Sequence, residues 1–200
     1  MDDIETFEKT IIEVLGKSVE SFDNEKISEA AALITEAVRN GHRVHITGIG
    51  KPGDLAHYLA ASFSSVGIPT YFLDGTEVCH GSCGQLCKGD VVVFISNSGN
   101  TAEMKVGFSA VQVMGVKTIG VTGNAESFLA HSANVALIAK VSQEGGPLNL
   151  APRASILSEA VILQAVSVKV QSNLGFTADE FHKRHQSGAL GEMLSKAKIF

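Results

Sequence analysis

The sequence predicts an α/β fold in which helices cover both faces of a parallel β-sheet. Amphipathic, helix-like segments alternate with short runs of apolar and β-branched residues, which are typical of strands buried on both faces. Such alternation gives parallel strand pairing in a three-layer α/β/α arrangement. No linker, low-complexity tract or internal repeat interrupts the 200 residues, so we expect a single domain.

Two amphipathic helices precede the predicted sheet, over 4–20 and 25–39, and Asn40-Gly41 is a plausible C-cap for the second. Strands are expected at five positions: 43–47, 69–73, 90–95, 117–121 and 134–138. The remaining helices are expected at 54–66, 102–113 and 153–173. The domain 1–200 then comprises N-terminal helices in 1–40, a sheet core in 41–174 and a C-terminal segment in 175–200.

Composition and charge narrow the class of function. A hydrophobic content of 44% is that of a globular protein with a sizeable core. A formal charge of −5 and a pI near 5.8 give no electrostatic reason to expect nucleic acid or an anionic membrane as a partner. The acidic N-terminus is unlike a signal peptide, and we expect no apolar run long enough to span a bilayer. These absences predict a cytoplasmic location.

The three cysteines are an odd number, which argues against a disulfide framework. Cys79, Cys83 and Cys87 are spaced four residues apart, so a helix would stack their thiols on one face. That spacing is wider than is usual in structural zinc sites. We expect small buried hydrophobic residues here and no metal site.

Hydroxyl and amide side chains follow the third predicted strand directly. Ser96, Asn97, Ser98 and Thr101 lie between this strand and the helix predicted over 102–113. The N–H groups of a helix N-terminus lack internal partners, and the helix dipole favours an anion there. We interpret this turn as a phosphate cradle, which makes the ligand a phosphorylated metabolite. The alternative is an N-cap box in which Ser98 or Thr101 caps the helix.

A glycine-rich loop follows the first predicted strand. Residues 48–53 match G-x-G-x-x-G between a strand and a helix, and Asp74 follows at the distance of a ribose-binding acid, a pattern typical of dinucleotide sites. The motif comes after two helices, however, and does not open the domain. We favour a floor in which Gly48 and Gly50 let a small sugar approach and Lys51 offers a charge to a phosphate or oxyanion. A plain tight turn is the other interpretation.

Five segments in order along the chain resemble the sugar isomerase (SIS) domain family, and in particular its arabinose 5-phosphate isomerases. They are the two loops above, Glu77-Val78-Cys79-His80-Gly81, Glu144 through Pro152, and the tail from Gly175 to Gly191. The likeness runs from about residue 5 to residue 194. It implies a flavodoxin-like sandwich with a five-stranded parallel sheet and aldose–ketose isomerisation of a sugar phosphate without a cofactor. It also implies a homotetramer whose active sites are shared between subunits.

By position, the resemblance implies that Ser96, Asn97, Ser98 and Thr101 hold the phosphate. Five further polar residues match the family's active site: Lys51, His80, Glu103, Glu144 and His185. Isomerisation through an enediol requires a histidine to open the ring, a shielded carboxylate with a raised pKa to shuttle a proton, and a cation at the developing oxyanion. We expect Glu144 or Glu103 to be the base, His185 the ring opener, Lys51 the clamp and His80 a contact to a sugar hydroxyl. Dipole stabilisation by Glu103 and a solvated basic patch around His185 are the alternatives.

The chain departs from the family pattern at three places: Ser82, Arg153-Ala154-Ser155-Ile156 and Gln186-Ser187. Interconversion of D-arabinose 5-phosphate and D-ribulose 5-phosphate is the expected reaction, but Arg153 could read a second charge on another sugar. A hexose or heptose phosphate isomerase, a non-catalytic sugar-phosphate sensor and a nucleotide-dependent enzyme stay open as alternatives. We expect no CBS domains, which many members of the family carry.

Overall fold

The computed structural model describes residues 3–187 as a sheet of five parallel strands between layers of helices. The strands are β1 (Val44–Gly48), β2 (Thr70–Phe72), β3 (Val91–Ile95), β4 (Lys117–Thr122) and β5 (Val135–Ile138). The helices are α1 (Asp3–Glu20), α2 (Asn24–Arg39), α3 (Lys51–Ser65), α4 (Ala102–Gln112), α5 (Phe128–Ser132), α6 (Ala154–Leu174) and α7 (Ala178–Arg184). The predicted fold class is confirmed.

Alternate residues of each central strand enter two separate cores. In β3, Val91, Val93 and Ile95 pack with side chains of α2, α3 and α6, whereas Val92 and Phe94 pack with α4 and α5 on the opposite face. Every residue of β1 and β3 is buried. This burial on both faces explains why the strands read as unbroken apolar runs in the sequence.

The strand order β2-β1-β3-β4-β5 places a topological switch between β1 and β3. The chain leaves β1 towards one edge of the sheet and leaves β3 towards the other, so a crevice opens beyond the carboxyl ends of these two neighbours. Helices α3 and α4 begin at this crevice. Helix α6 runs beside α3, where Gln164 donates a hydrogen bond to Ser62 Oγ at 2.9 Å, and it begins at the same edge of the sheet.

The observed helices differ from the prediction in two ways. Helix α3 starts at Lys51, three residues before the expected position, because Pro52 is tolerated in a first turn. Helices α5 and α7 were not predicted, since five and seven residues are too few to show a period. The side chains of Ser127 and Thr177 start them by accepting backbone N–H groups.

Helix α6 is long and apolar enough to cross a membrane by composition, with a mean hydropathy of 1.2. The expectation that no such run exists was therefore wrong. Half of its apolar window is buried inside the protein, where it packs against α1, α2 and α3. That environment is typical of the core helix of an α/β sandwich.

The cysteine segment is not the predicted helical face. Residues 78–85 form two short 3-10 turns, Val78–His80 and Ser82–Gln85, separated by Gly81 at φ 110°. Cys79 and Cys87 are exposed and Cys83 is half-buried, so the expectation of buried thiols was also wrong. A glycine in the left-handed region interrupts any helix that the four-residue spacing would continue.

Candidate active site

A cavity of about 270 Å³ opens at the switch between β1 and β3. Its walls come from the two loops that the sequence singled out and from the first turn of α4: Ile49, Pro52, Ile95, Ser96, Asn97, Ser98, Thr101 and Met104. All four residues predicted to hold phosphate therefore line one cavity. We call this set of four the phosphate cradle.

Three hydroxyl groups of the cradle converge at the start of α4. Thr101 is the N-cap residue, and its Oγ1 lies 3.5 Å from Ser96 Oγ and 3.5 Å from Ser98 Oγ. The Thr101 side chain makes no capping hydrogen bond to the helix. The alternative of an N-cap box is therefore not what the structure shows. Thr101 and Met104, at the start of α4, line the cavity.

Close packing on Ser127 and hydrogen bonds within the loop fix the backbone that carries the cradle. Gly99 has φ 62°, and a Cβ at this position would overlap the Ser127 hydroxyl. Ser96 Oγ accepts the Gly99 N–H at 3.2 Å, and Ser98 Oγ accepts the Asn100 N–H at 3.2 Å. These contacts fix the serine hydroxyls at the cavity without help from a ligand.

Close backbone packing accounts for the glycines of the 48–53 loop. A Cβ on Gly48 would come within 2.6 Å of Pro52, and one on Gly53 or Gly75 within 2.9 and 2.7 Å of the Gly48 carbonyl oxygen. Gly50 makes the turn at φ 66°. Lys51 follows it, exposed in the first turn of α3.

Asp74 is committed to a turn and is not placed as a ribose ligand. Its Oδ1 accepts the backbone N–H groups of Thr76 at 2.8 Å and Glu77 at 3.1 Å. These bonds, together with one from the Thr76 hydroxyl, lower the pKa of Asp74. The glycine loop therefore lacks the ribose-binding acid that a dinucleotide site requires.

Glu103 and His80 both line a second cavity, of about 220 Å³. Gly75, Thr76, Cys79 and Val106 complete its lining. Glu103 belongs to the same turn of α4 as Met104, which lines the first cavity, so the two cavities flank that turn. The structure thus brings two of the predicted catalytic residues together, next to the cradle.

Glu144 is tied to the N-terminus of α6. Its Oε2 accepts the backbone N–H of Arg153 at 2.6 Å and that of Ser155 at 3.1 Å. Burial alone would raise the pKa of Glu144, but hydrogen bonds from Ser155 and from the Arg153 backbone outweigh it, and the pKa is lowered. The expectation of a raised pKa at the shuttle base was therefore wrong for Glu144, which is held as a carboxylate.

Asn149 holds the loop that follows Glu144, and no sequence motif assigned this residue a role. Asn149 has φ 51°, and its Oδ1 accepts the backbone N–H of Glu144 at 2.6 Å and that of Gly145 at 3.3 Å. Nothing in the sequence signals that this side chain turns back onto the start of its own loop. The Arg153 guanidinium lies against Gly146, so it folds over this loop.

His185 lies at the other end of α6 from Glu144. Helix α6 has 21 residues, so it separates its two ends by about 30 Å. The ring of His185 stacks on Phe181 with a centroid distance of 4.0 Å, and its Nδ1 donates to the Phe181 carbonyl at 3.0 Å. Within one chain, the structure does not bring His185 to Lys51, His80, Glu103 or Glu144. The predicted tail residues Gly188-Ala189-Leu190-Gly191 lie outside the described part of the chain.

Comparison with known proteins agrees with the fold and with the position of the loops. A family model described as the SIS domain matches residues 37–169, which include both loops and most of α6. The chain belongs to the SIS domain family. The resemblance that the sequence motifs indicated is confirmed.

Among relatives of this SIS chain, an arabinose 5-phosphate isomerase KdsD of Pseudomonas aeruginosa is 41% identical over 152 residues. A KdsD of Francisella tularensis is 37% identical over 191 residues, which is 96% of this chain. The chain spans 47% and 58% of the lengths of these two relatives. Among solved structures, the E. coli CFT073 protein c3406 in complex with arabinose 5-phosphate has 34% identity and a TM-score of 0.81, over 91% of this chain and 95% of that chain.

Proposed function

We propose that this SIS chain catalyses the aldose–ketose isomerisation of a sugar phosphate. The observation that carries the proposal is the cradle of converging hydroxyls at the open N-terminus of α4, directly beside the cavity that holds Glu103 and His80. Relatives named arabinose 5-phosphate isomerase and a similar structure that holds arabinose 5-phosphate support the same class of substrate. We therefore propose interconversion of D-arabinose 5-phosphate and D-ribulose 5-phosphate as the reaction.

In this proposal the cradle binds the phosphate and thereby fixes the other end of the sugar. Hydroxyl donors and the N–H groups of α4 stabilise the dianion, and Lys51 at the start of α3 adds a positive charge at the same edge. Asn97 lies in the same wall. No organic cofactor or metal is required, because a proton and an electron pair only move between neighbouring carbons.

A carboxylate then removes the proton next to the carbonyl, and an enediol forms. Glu144 is held ionised by the α6 N-terminus through Oε2, which leaves Oε1 to accept a proton. Glu103 is the second candidate base, and His80 beside it is suited to contact a sugar hydroxyl. Return of the proton to the adjacent carbon completes the isomerisation.

Ring opening is assigned to His185, which requires two copies of the chain. Because about 30 Å of α6 separates the Glu144 and His185 ends of one chain, we propose that His185 serves the site of a neighbouring subunit. A homotetramer with shared sites fits this arrangement. We also propose that the protein is cytoplasmic. Neither nucleic acid nor a membrane is proposed as a partner.

Proton exchange in heavy water tests the function directly. The protein is incubated with arabinose 5-phosphate, a hexose 6-phosphate and a heptose 7-phosphate, and the proton next to the carbonyl is followed by NMR. An isomerase exchanges this proton for deuterium in at least one of the sugars, even at equilibrium. Binding without exchange would identify a sensor and contradict the proposal, and exchange confined to the hexose or heptose would correct the substrate. Glu103→Gln combined with Glu144→Gln is the matched control, which should bind without exchange.

A further inference from the structure

Helix α6 carries a carboxyl group on its buried face. Glu159 is 1% exposed, and neither of its carboxyl oxygens has a hydrogen-bond partner among residues 3–187. Apolar residues follow it directly, from Ala160 to Leu163. A buried polar group without a partner costs free energy, so its presence requires an explanation other than packing.

Glu159 lies one helical turn after Ser155, the residue of α6 that contacts Glu144. Residues four apart share a helix face, so Glu159 lies below Ser155 on α6. The backbone N–H of Ser155 donates to Glu144 Oε2 at 3.1 Å. The charge of Glu144 also acts directly on Glu159. The two carboxyl groups are thus neighbours at the start of α6.

Their surroundings drive the two groups to opposite protonation states. Burial raises the pKa of Glu159 to about 8, and the charge of Glu144 adds to the rise. Hydrogen bonds at the α6 N-terminus lower the pKa of Glu144 despite its partial burial. At neutral pH the pair holds one proton, and that proton is on Glu159.

The other charged groups on α6 and on the helices packed against it lie at the protein surface, including Arg153 at the α6 N-cap and Lys169 near its end. Helices α1, α2 and α3 pack against α6. Their ionisable side chains are all exposed at the surface: Asp3, Glu5, Glu8, Lys9, Glu13, Lys17, Glu20, Glu25, Lys26, Glu29, Glu36, Arg39, Lys51, Asp54, His57 and Tyr58. Within residues 3–187, Glu144 is the charge that shifts the Glu159 carboxyl.

We infer that Glu159 is a positioning residue for Glu144: its protonated carboxyl leaves a single negative charge at the start of α6 and so keeps Glu144 on the N–H groups of Arg153 and Ser155. The inference rests on the proposed isomerase function, in which Glu144 is a base. Ionisation of Glu159 places a second carboxylate, fully buried, beside the half-buried Glu144 at the start of α6. Their repulsion displaces Glu144 from the helix and lowers the rate at alkaline pH.

Carbon-13 NMR of protein labelled at the glutamate carboxyl carbons tests the pairing without any substrate. The resonance that Glu159→Gln removes should titrate near pH 8, and the resonance that Glu144→Gln removes should shift in the same step. Glu36→Gln, at an exposed position on α2, is the matched control and should change neither. Titration of Glu159 at the ordinary pH of a glutamate, or a Glu144 resonance that ignores the step, overturns the inference.

The dependence of kcat on pH tests the positioning role. In the wild type and in Glu36→Gln, kcat should fall about tenfold per pH unit above pH 8, with KM for arabinose 5-phosphate unchanged. In Glu159→Gln, with each profile scaled to its own maximum, the fall should begin at least about one pH unit higher. Glu159→Leu, which also cannot ionise, is the second variant and should behave alike. If kcat falls at the same alkaline pH in the wild type and in either folded variant, the positioning role of Glu159 is overturned. A wild type without isomerase activity contradicts the proposed function, and the NMR step then decides the pairing alone.

Discussion

Replacing Glu159 with glutamine should stabilise the protein, and the gain should grow with pH. Glutamine has nearly the shape of glutamic acid and carries no charge at any pH. The wild type must keep Glu159 protonated in the folded state or bury its charge, whereas the unfolded chain ionises this group freely. The substitution removes that cost because the variant has nothing to ionise.

The magnitude follows from the displaced pKa. Burial moves the pKa of Glu159 from 4.5 in a freely solvated chain to about 8 in the folded protein. Below the lower value both states are protonated, and the wild type has no penalty. Between the two values the folded state loses about 1.4 kcal/mol per pH unit relative to the unfolded state, so the penalty reaches about 3 kcal/mol at pH 7. Above the folded pKa the penalty stays constant.

Urea denaturation at a series of pH values measures this difference. The free energy of unfolding of Glu159→Gln should exceed that of the wild type by about 3 kcal/mol at pH 7, and the two should converge near about pH 4. Glu36→Gln should follow the wild type throughout, because its carboxyl is exposed. A difference between Glu159→Gln and the wild type that does not vary across this range would refute the burial of a protonated carboxyl.

Three further predictions concern the proposed site. Glu144→Gln should lower kcat by about 100-fold or more, because the site loses a base; steady-state kinetics measures this loss. The substitution should also lower the free energy of unfolding by about 1 kcal/mol, because α6 loses a charged partner at its N-terminus; urea denaturation measures this change. Ser96→Ala and Thr101→Val should each raise KM for arabinose 5-phosphate by about tenfold or more with little change in kcat, because each removes a donor to a dianion; an unchanged KM would argue against the cradle. Glu144→Gln and His185→Ala, each inactive alone, should regain about a quarter of wild-type activity when refolded together, because some mixed sites receive both intact residues. No recovery would place the complete site within one chain.

The sheet could be predicted from the sequence because its signals are local. Runs such as Val91–Ile95 are buried on both faces, so every residue carries the same apolar signal, and the order of strands and helices then fixes parallel pairing. The short helices α5 and α7 have too few residues to repeat a helical pattern, so the sequence does not predict them. The cysteine segment was misjudged because a four-residue spacing fits a helix, while the φ of 110° at Gly81 is invisible until the turn is seen.

The candidate site also has features that local sequence predicts and features that depend on long-range contacts. The cradle was predictable because its hydroxyls lie close together in the sequence at a strand–helix junction. The protonation state of Glu144 could not be predicted. Its pKa depends on the N–H groups of Arg153 and Ser155, which a loop brings close to its carboxylate. Glu159 was missed for a related reason. A single acid in a helical sequence reads as a solvated residue, and only the packing of α6 shows that it is buried.

The position of a bound phosphate shows whether the cradle is the substrate-binding site. A crystal of the protein with arabinose 5-phosphate should place the phosphorus at the α4 N-terminus, with the oxygens in hydrogen-bonding reach of the Ser96, Ser98 and Thr101 hydroxyls. The sugar carbons should then extend towards Glu103 and His80. A phosphate bound elsewhere, with these three hydroxyls in contact only with water, would show that the cradle is not the phosphate site.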